Sequence, residues 1–375
     1  MNMIISRVVG LLGLLSGAVA YKTLSDDSLR DIADPGDDFD IKNGALLAPI
    51  LQPRVPGTPG STVVLTHFVN FFQKSLPEWE LSFQNSSSKT PLSGNDEVPF
   101  RNLIATRDPP WAQQGHVGRL ALVAHYDSKI DPPGFIGAID SAAPCAMLMH
   151  AARSLDAALT KKWAAMESDG ETELEEAGGI QIILLDGEEA FKVWTHDDSI
   201  YGARSLAEEW EQTMHPAAST YRTPLDAIDL FVLLDLLGSA KPTVPSFFRT
   251  THWAYSNMAA AEARLRSLKQ LETAPADVFL REANKKETDR WLGGAIEDDH
   301  IPFQARGVDI LHMIPAPFPA VWHKMTDDGE HLDIPTVKDW AKIVTAFAAE
   351  WMELDGYLSP PKKRNAMPEL DRTEL

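Results

Sequence analysis

Cysteine is nearly absent: Cys145 is the only one in 375 residues. An internal disulfide is therefore excluded, and the fold must rest on its core. Cys145 lies in the apolar stretch 142–149, where a thiol is ordinarily buried and inert rather than nucleophilic. Positive charge is also scarce. The 34 Lys and Arg face 54 Asp and Glu, a formal net charge of -20. Nucleic acid and anionic membrane call for a basic surface, so both are excluded as partners. After residue 20 no apolar run reaches the roughly 20 residues of a bilayer span. There is no internal repeat and no low-complexity domain.

The first twenty residues carry a processing signal. Arg7 supplies a positive n-region, residues 8–20 are apolar, and Ala18-Val19-Ala20 places small residues at the cleavage positions. This pattern predicts a secretory signal peptide over 1–20 and a secreted product with no membrane attachment after cleavage. An uncleaved anchor in the secretory pathway is the alternative. Asn85-Ser86-Ser87 is a glycosylation sequon, consistent with secretion.

With 44% hydrophobic residues the chain can bury a sizeable core. An acidic lead-in is expected over 21–40, and residues 21–60, rich in Asp, Pro and Gly, are expected to wrap the surface. One compact catalytic domain should occupy 41–355, and a polar tail 356–375. Residues 167–179 are acidic, end in paired glycines, and read as a surface loop.

Helical apolar spacing over 61–73 runs through Val64, Phe68 and Phe72. Residues 79–83 and 103–106 read as strands. Four apolar runs follow, each ending in a candidate ligand or acid. Run 120–124 precedes His125 and Asp127, and run 180–185 precedes Asp186 and the pair Glu188-Glu189. Run 230–234 precedes Asp235, and run 308–314 leads toward Trp322-His323. Helical segments at 142–159 and 201–213 lie between them. Apolar runs alternating with helices predict a single α/β domain with a mixed, mostly parallel central sheet flanked by helices. Ligands bind beyond the carboxyl ends of such strands, which is where all four runs place their polar residues.

A Glu-Glu pair in a loop is ordinarily a solvated turn. Here it follows a buried strand, and His125, Asp140, Glu189, Asp235 and His323 form an ordered set of metal-ligand types. None of the spacings is a local zinc signature such as His-x-x-x-His. Five such residues can hold two metals with one bridging carboxylate, and three can hold one with a position open for substrate.

The stretches His125-Tyr-Asp-Ser-Lys129, Asp140-Ser-Ala-Ala-Pro-Cys-Ala-Met-Leu148, Asp186-Gly-Glu-Glu-Ala-Phe191, Asp298-Asp-His-Ile-Pro-Phe303 and Phe318-Pro-Ala-Val-Trp-His323 resemble the glutaminyl-peptide cyclotransferases, relatives of the zinc aminopeptidases. The resemblance spans about residues 45–354. It implies a zinc-dependent acyltransferase that closes the N-terminal glutamine of peptides and proteins to pyroglutamate and releases ammonia. It also implies a zinc-aminopeptidase-like fold. One zinc per chain would be bound by Asp140, Glu189 and His323. Glu188 would be the acid/base, supported by Asp235 and Asp298. Trp194, Phe318 and Trp322 would line the substrate pocket. The expected assembly is a monomer. Some animal members carry a cysteine just before the His-Tyr-Asp-Ser-Lys motif, paired with the equivalent of Cys145. Here that position is Ala124, so the bridge is absent.

Two other readings compete. A secreted zinc aminopeptidase would use a metal-bound water, and two metals, adding His125 and Asp235, would favour it. A non-catalytic binding protein on the same scaffold would be expected to have lost one of Asp140, Glu188, Glu189 and His323.

Overall fold

The computed structural model describes residues 21–172 and 178–359. The expected signal peptide, residues 173–177 of the acidic loop and residues 360–375 of the tail lie outside them.

Six strands form one sheet: β1 (Glu80–Ser88), β2 (Val98–Arg107), β3 (Arg119–His125), β4 (Gly179–Leu185), β5 (Ile228–Leu234) and β6 (Ile310–Met313). Their order is β1-β2-β4-β3-β5-β6. β3 pairs in parallel with β4 and β5, and β5 with β6. β2 runs antiparallel to both β1 and β4. The sheet is therefore mixed and mostly parallel, as expected.

The helices are α1 (Asp26–Arg30), α2 (Pro59–Ser75), α3 (Ala143–Asp169), α4 (Tyr201–Gln212), α5 (His252–Ser267), α6 (Ile301–Gln304) and α7 (Ile334–Trp351). The central strands β3, β4 and β5 are apolar at most positions because both faces are covered. Leu120, Leu122 and Ala124 of β3, Ile182 and Leu184 of β4, and Val232 and Leu234 of β5 face the larger core, with α2, α3, α5 and α7. Ala121, Val123, Ile183, Leu185, Phe231 and Leu233 face the smaller one, with Ala203, Leu206 and Ala207 of α4 and Phe303 of α6. At and just beyond the carboxyl ends of β3 to β5 lie His125, Asp127, Asp186, Glu188, Glu189 and Asp235, all buried.

Three local expectations are corrected. Residues 21–58 do not merely wrap the surface: Leu24, Leu29, Ile32, Phe39, Leu46, Leu47 and Ile50 are core residues. The segment is a strap, tied to α7 by Leu24 N donating to Glu350 Oε1 (3.0 Å) and to α3 by an Arg153–Asp38 ion pair (2.6 Å). Its apolar residues lack a regular period, which hid their burial. Helix α3 continues past residue 159, because Leu155, Leu159, Trp163 and Met166 extend one buried stripe. It stops at Gly170, whose left-handed conformation closes the carboxyl end. Helices α5 and α7 went unanticipated. α7 is buried nearly all round, polar Asp339, Lys342 and Glu350 included, so its charged residues do not mark a solvent face.

Candidate active site

The chain leaves β4 through Asp186-Gly187 and turns sharply. Gly187 has φ +78°, and a Cβ there would run into the Phe100 ring, so only glycine fits the turn. The next two residues are Glu188 and Glu189. Their amides both donate to the Asp127 carboxylate, at 3.0 and 3.1 Å. One buried acid thus fixes the backbone of both glutamates.

Asp140 comes from the irregular segment between β3 and α3, where the Asp140–Ser141 peptide is cis. His323 lies beyond β6 with φ +55°. A non-glycine residue in that conformation stores strain, a feature typical of functional positions. These elements bring Asp140, Glu189 and His323 together. His323 Nε2 is 3.5 Å from Asp140 Oδ2 and 3.7 Å from Glu189 Oε1, both long for hydrogen bonds. Both oxygens are buried, with no hydrogen-bond partner among the described residues. A buried carboxylate oxygen left unpaired is costly. One imidazole nitrogen and two unpartnered carboxylate oxygens make a donor set that fits zinc.

A second group, His125, Asp140 and Asp235, lies behind the first. Its facing atoms are already engaged. His125 Nε2 lies 3.0 Å from Asp140 Oδ1 and 3.4 Å from Asp235 Oδ1, and Nδ1 lies 3.3 Å from Asp127. Asp235 Oδ1 also accepts from Ser141 Oγ and from Leu236 N. Deeper still, Asp298 Oδ2 is 2.7 Å from His312 Nε2, and its Oδ1 accepts from Asp299 N (2.6 Å).

A cavity of about 570 Å³ opens onto this centre. That is ample for a small side chain and its flanking backbone. Asp140, Glu188, Glu189, Asp235 and His323 lie on its floor, with Lys129 beside them. Trp194, Phe318 and Trp322 form its apolar walls. Trp322 stacks on His323 with ring centroids 3.9 Å apart and meets Phe318 edge-on. Trp194 Nε1 donates to Glu297 Oε2 across the mouth (3.1 Å). Asp298 is not a lining residue. It sits behind the floor, next to Asp299, His300 and His312.

Burial pushes the Glu188 carboxyl well above the ordinary range. The His125 ring opposes this, while Glu189, Asp298 and Asp299 add to it. Burial likewise raises Glu189, with Asp140 adding and Lys129 opposing; Lys129 Nζ is 3.3 Å from Glu189 Oε2. Burial also works against ionised Asp140, but the His125 and His323 rings hold its carboxyl below the ordinary range. A cation among these acids would favour their charged forms.

Asp299, His300 and His312 were not singled out in the sequence. Asp299 and His300 lie inside the quoted stretch 298–303, which was the available signal. His312 offered a weaker one, a polar residue inside an apolar strand. Cys145 is buried and free, donating to His125 O.

Residues 102–348 match the model of peptidase family M28. The chain is 37% identical over 343 residues to a glutaminyl-peptide cyclotransferase of Bos taurus, covering 88% of this chain and 87% of that protein. It is 39% identical over 317 residues to a glutaminyl-peptide cyclotransferase-like protein of Mus musculus, covering 83% and 75%. The crystal structure of Macrostomum lignano glutaminyl cyclase superposes with a TM-score of 0.72 and 31% identity, covering 88% of this chain and 93% of that one.

Proposed function

The chain belongs to peptidase family M28 and, within it, to the glutaminyl-peptide cyclotransferases, and from that premise we propose that it closes the N-terminal glutamine of peptides and proteins into a five-membered lactam. The observation that carries this reading is the division of the Glu188-Glu189 pair. Glu189 turns an unpartnered oxygen toward His323 and Asp140, while Glu188 faces the same cavity without belonging to that trio.

The glutamine side chain would enter between Trp194, Phe318 and Trp322, whose rings exclude water and hold it folded back on its own amine. Attack is intramolecular, so a near-attack geometry supplies much of the rate. The α-amine nitrogen bonds to the side-chain amide carbon, and the carbon–nitrogen bond to the departing ammonia breaks. Glu188 takes the proton from the attacking amine and passes it to the leaving nitrogen, a task suited to a carboxylate whose affinity for protons is raised by burial. Asp298, with Asp299 and Glu189, adds negative charge near Glu188 and supports its basicity, while Asp235 holds His125 and Ser141 behind the floor. Zinc held by Asp140, Glu189 and His323 supplies a Lewis acid for the amide oxygen. One zinc per chain is favoured because the facing atoms of the second group already have partners.

Residues 1–20 support a secreted protein. No helix among the described residues is long and apolar enough to cross a membrane. Asn85 is exposed on β1, with room for a glycan. Sequencing the amino terminus of protein recovered from culture medium tests the cleavage.

Incubating purified protein with a Gln-initiated peptide and weighing the product tests the reaction. A mass lower by one ammonia is expected. Loss of the whole first residue would instead establish an aminopeptidase.

A further inference from the structure

Arg54 is fully buried, yet its guanidinium donates to backbone carbonyls rather than to a carboxylate. Nε reaches Tyr126 O. Nη1 reaches Ile136 O and, at 3.4 Å, Gln52 O. Nη2 reaches Gly137 O at 2.8 Å and Asp140 O at 3.3 Å. The Arg54 amide donates to Ser128 Oγ at 2.9 Å. A buried guanidinium without a carboxylate is expensive, so it persists only where its donors are well used.

Apart from Gln52 O, two residues before it, the carbonyls it holds belong to two segments. Tyr126 and Ser128 flank Asp127, whose carboxylate fixes the amides of Glu188 and Glu189. Ile136, Gly137 and Asp140 belong to the loop that presents Asp140. That loop is not regular structure: Asp140 and Ser141 have non-helical torsions, and Gly137 is left-handed at a point where a Cβ would strike Asp140 O. The loop therefore depends on side chains to satisfy its backbone. Asp327 serves the opposite polarity, with Ile139 N donating to its Oδ1 (2.8 Å) and Ala138 N to its carbonyl (3.2 Å). The guanidinium takes the carbonyls and Asp327 takes the amides. A guanidinium suits the first task because its planar fork fixes several acceptors relative to one another.

We propose that Arg54 is a positioning residue that sets the zinc affinity of the site, holding the Asp140 loop and the Asp127 segment in register from 86 residues away. The inference rests on the reading that Asp140 is a zinc ligand. The test is the zinc dissociation constant of the folded full chain, measured by competition with a chromophoric chelator, beside the melting temperature of the zinc-free protein. Groups that orient metal ligands typically change affinity about 10–100-fold when removed. Arg54→Met should weaken zinc to that extent. Arg54→Lys, with three donors, should fall between it and the parent. A folded Arg54→Met protein with unaltered zinc affinity would overturn the proposal, because a merely structural role lowers the melting temperature alone. If Arg54→Met does not fold, Arg54→Lys decides by the same readout: weakened zinc supports the role, and unchanged zinc overturns it. Asp140→Asn is the control. If it binds zinc like the parent, the ligand assignment fails, and this inference with it.

Discussion

The front and the rear of the acidic centre use the same residue types and share Asp140, but their polar atoms are in different states. In front, Asp140 Oδ2 and Glu189 Oε1 converge on His323 with nothing to satisfy them. Behind, Asp140 Oδ1, Asp235 Oδ1 and both His125 nitrogens face polar partners. Composition alone does not distinguish a metal site from a hydrogen-bonded network. The partners of the facing atoms separate these two groups, because leaving a buried carboxylate oxygen unpaired is costly.

The sharpest way to break this contrast is to remove a polar side chain from each side. His323→Ala and Glu189→Gln should release zinc and abolish cyclisation, read by metal analysis of the purified protein. Asp235→Asn should leave zinc content unchanged. A drop from two zinc ions to one in Asp235→Asn would erase the distinction. Next in size is Glu188→Gln, expected to lower turnover by about 10²–10⁴, the usual worth of acid–base catalysis, with zinc retained. Metal loss there would mean that the two glutamates do not divide the work.

The rear network also makes a prediction about acid. Burial, with His312 adjacent, lowers the His300 pKa to about 3. In the unfolded chain that ring protonates near pH 6.5. Between those values the unfolded state binds more protons, so stability falls as pH drops below 6.5. At pH 4.5 the His300 contribution to this loss is about 3 kcal/mol. His300→Leu should flatten the urea midpoint against pH over that range, and an unchanged slope would show that the ring is not held neutral. The smallest effect is expected at the cavity mouth. Trp194→Phe loses the hydrogen bond to Glu297 and should raise KM about fivefold, roughly 1 kcal/mol, with kcat little changed. A fall in kcat alone would place Trp194 nearer the reacting atoms.

Much of this arrangement was legible in the sequence. The runs that became β3, β4 and β5 are continuous because both faces of the strands are covered, and their polar successors mark one edge of the sheet. Glu188 and Glu189 were distinguishable from a wet turn because a buried strand precedes them and Asp140 and His323 complete an ordered set of ligand types. The strap over 21–58 was not legible, since its core residues follow no period. Helix α7 was hidden because charged residues such as Asp339, Lys342 and Glu350 are buried along with its apolar ones. Asp298 belongs to a recognisable motif, but nothing in the motif says that it lies behind the cavity floor rather than on it.

The sequence by itself determined the alternation of strands and helices, the absence of any disulfide, and the residue types available at the strand ends. Those follow from local periodicity, composition and chain order. Only the tertiary structure decided which carboxylate oxygens are left unpartnered, which acids raise one another, and that Arg54 reaches the Asp140 loop. Each of those depends on distances between segments far apart in the chain, and burial makes those distances costly to change.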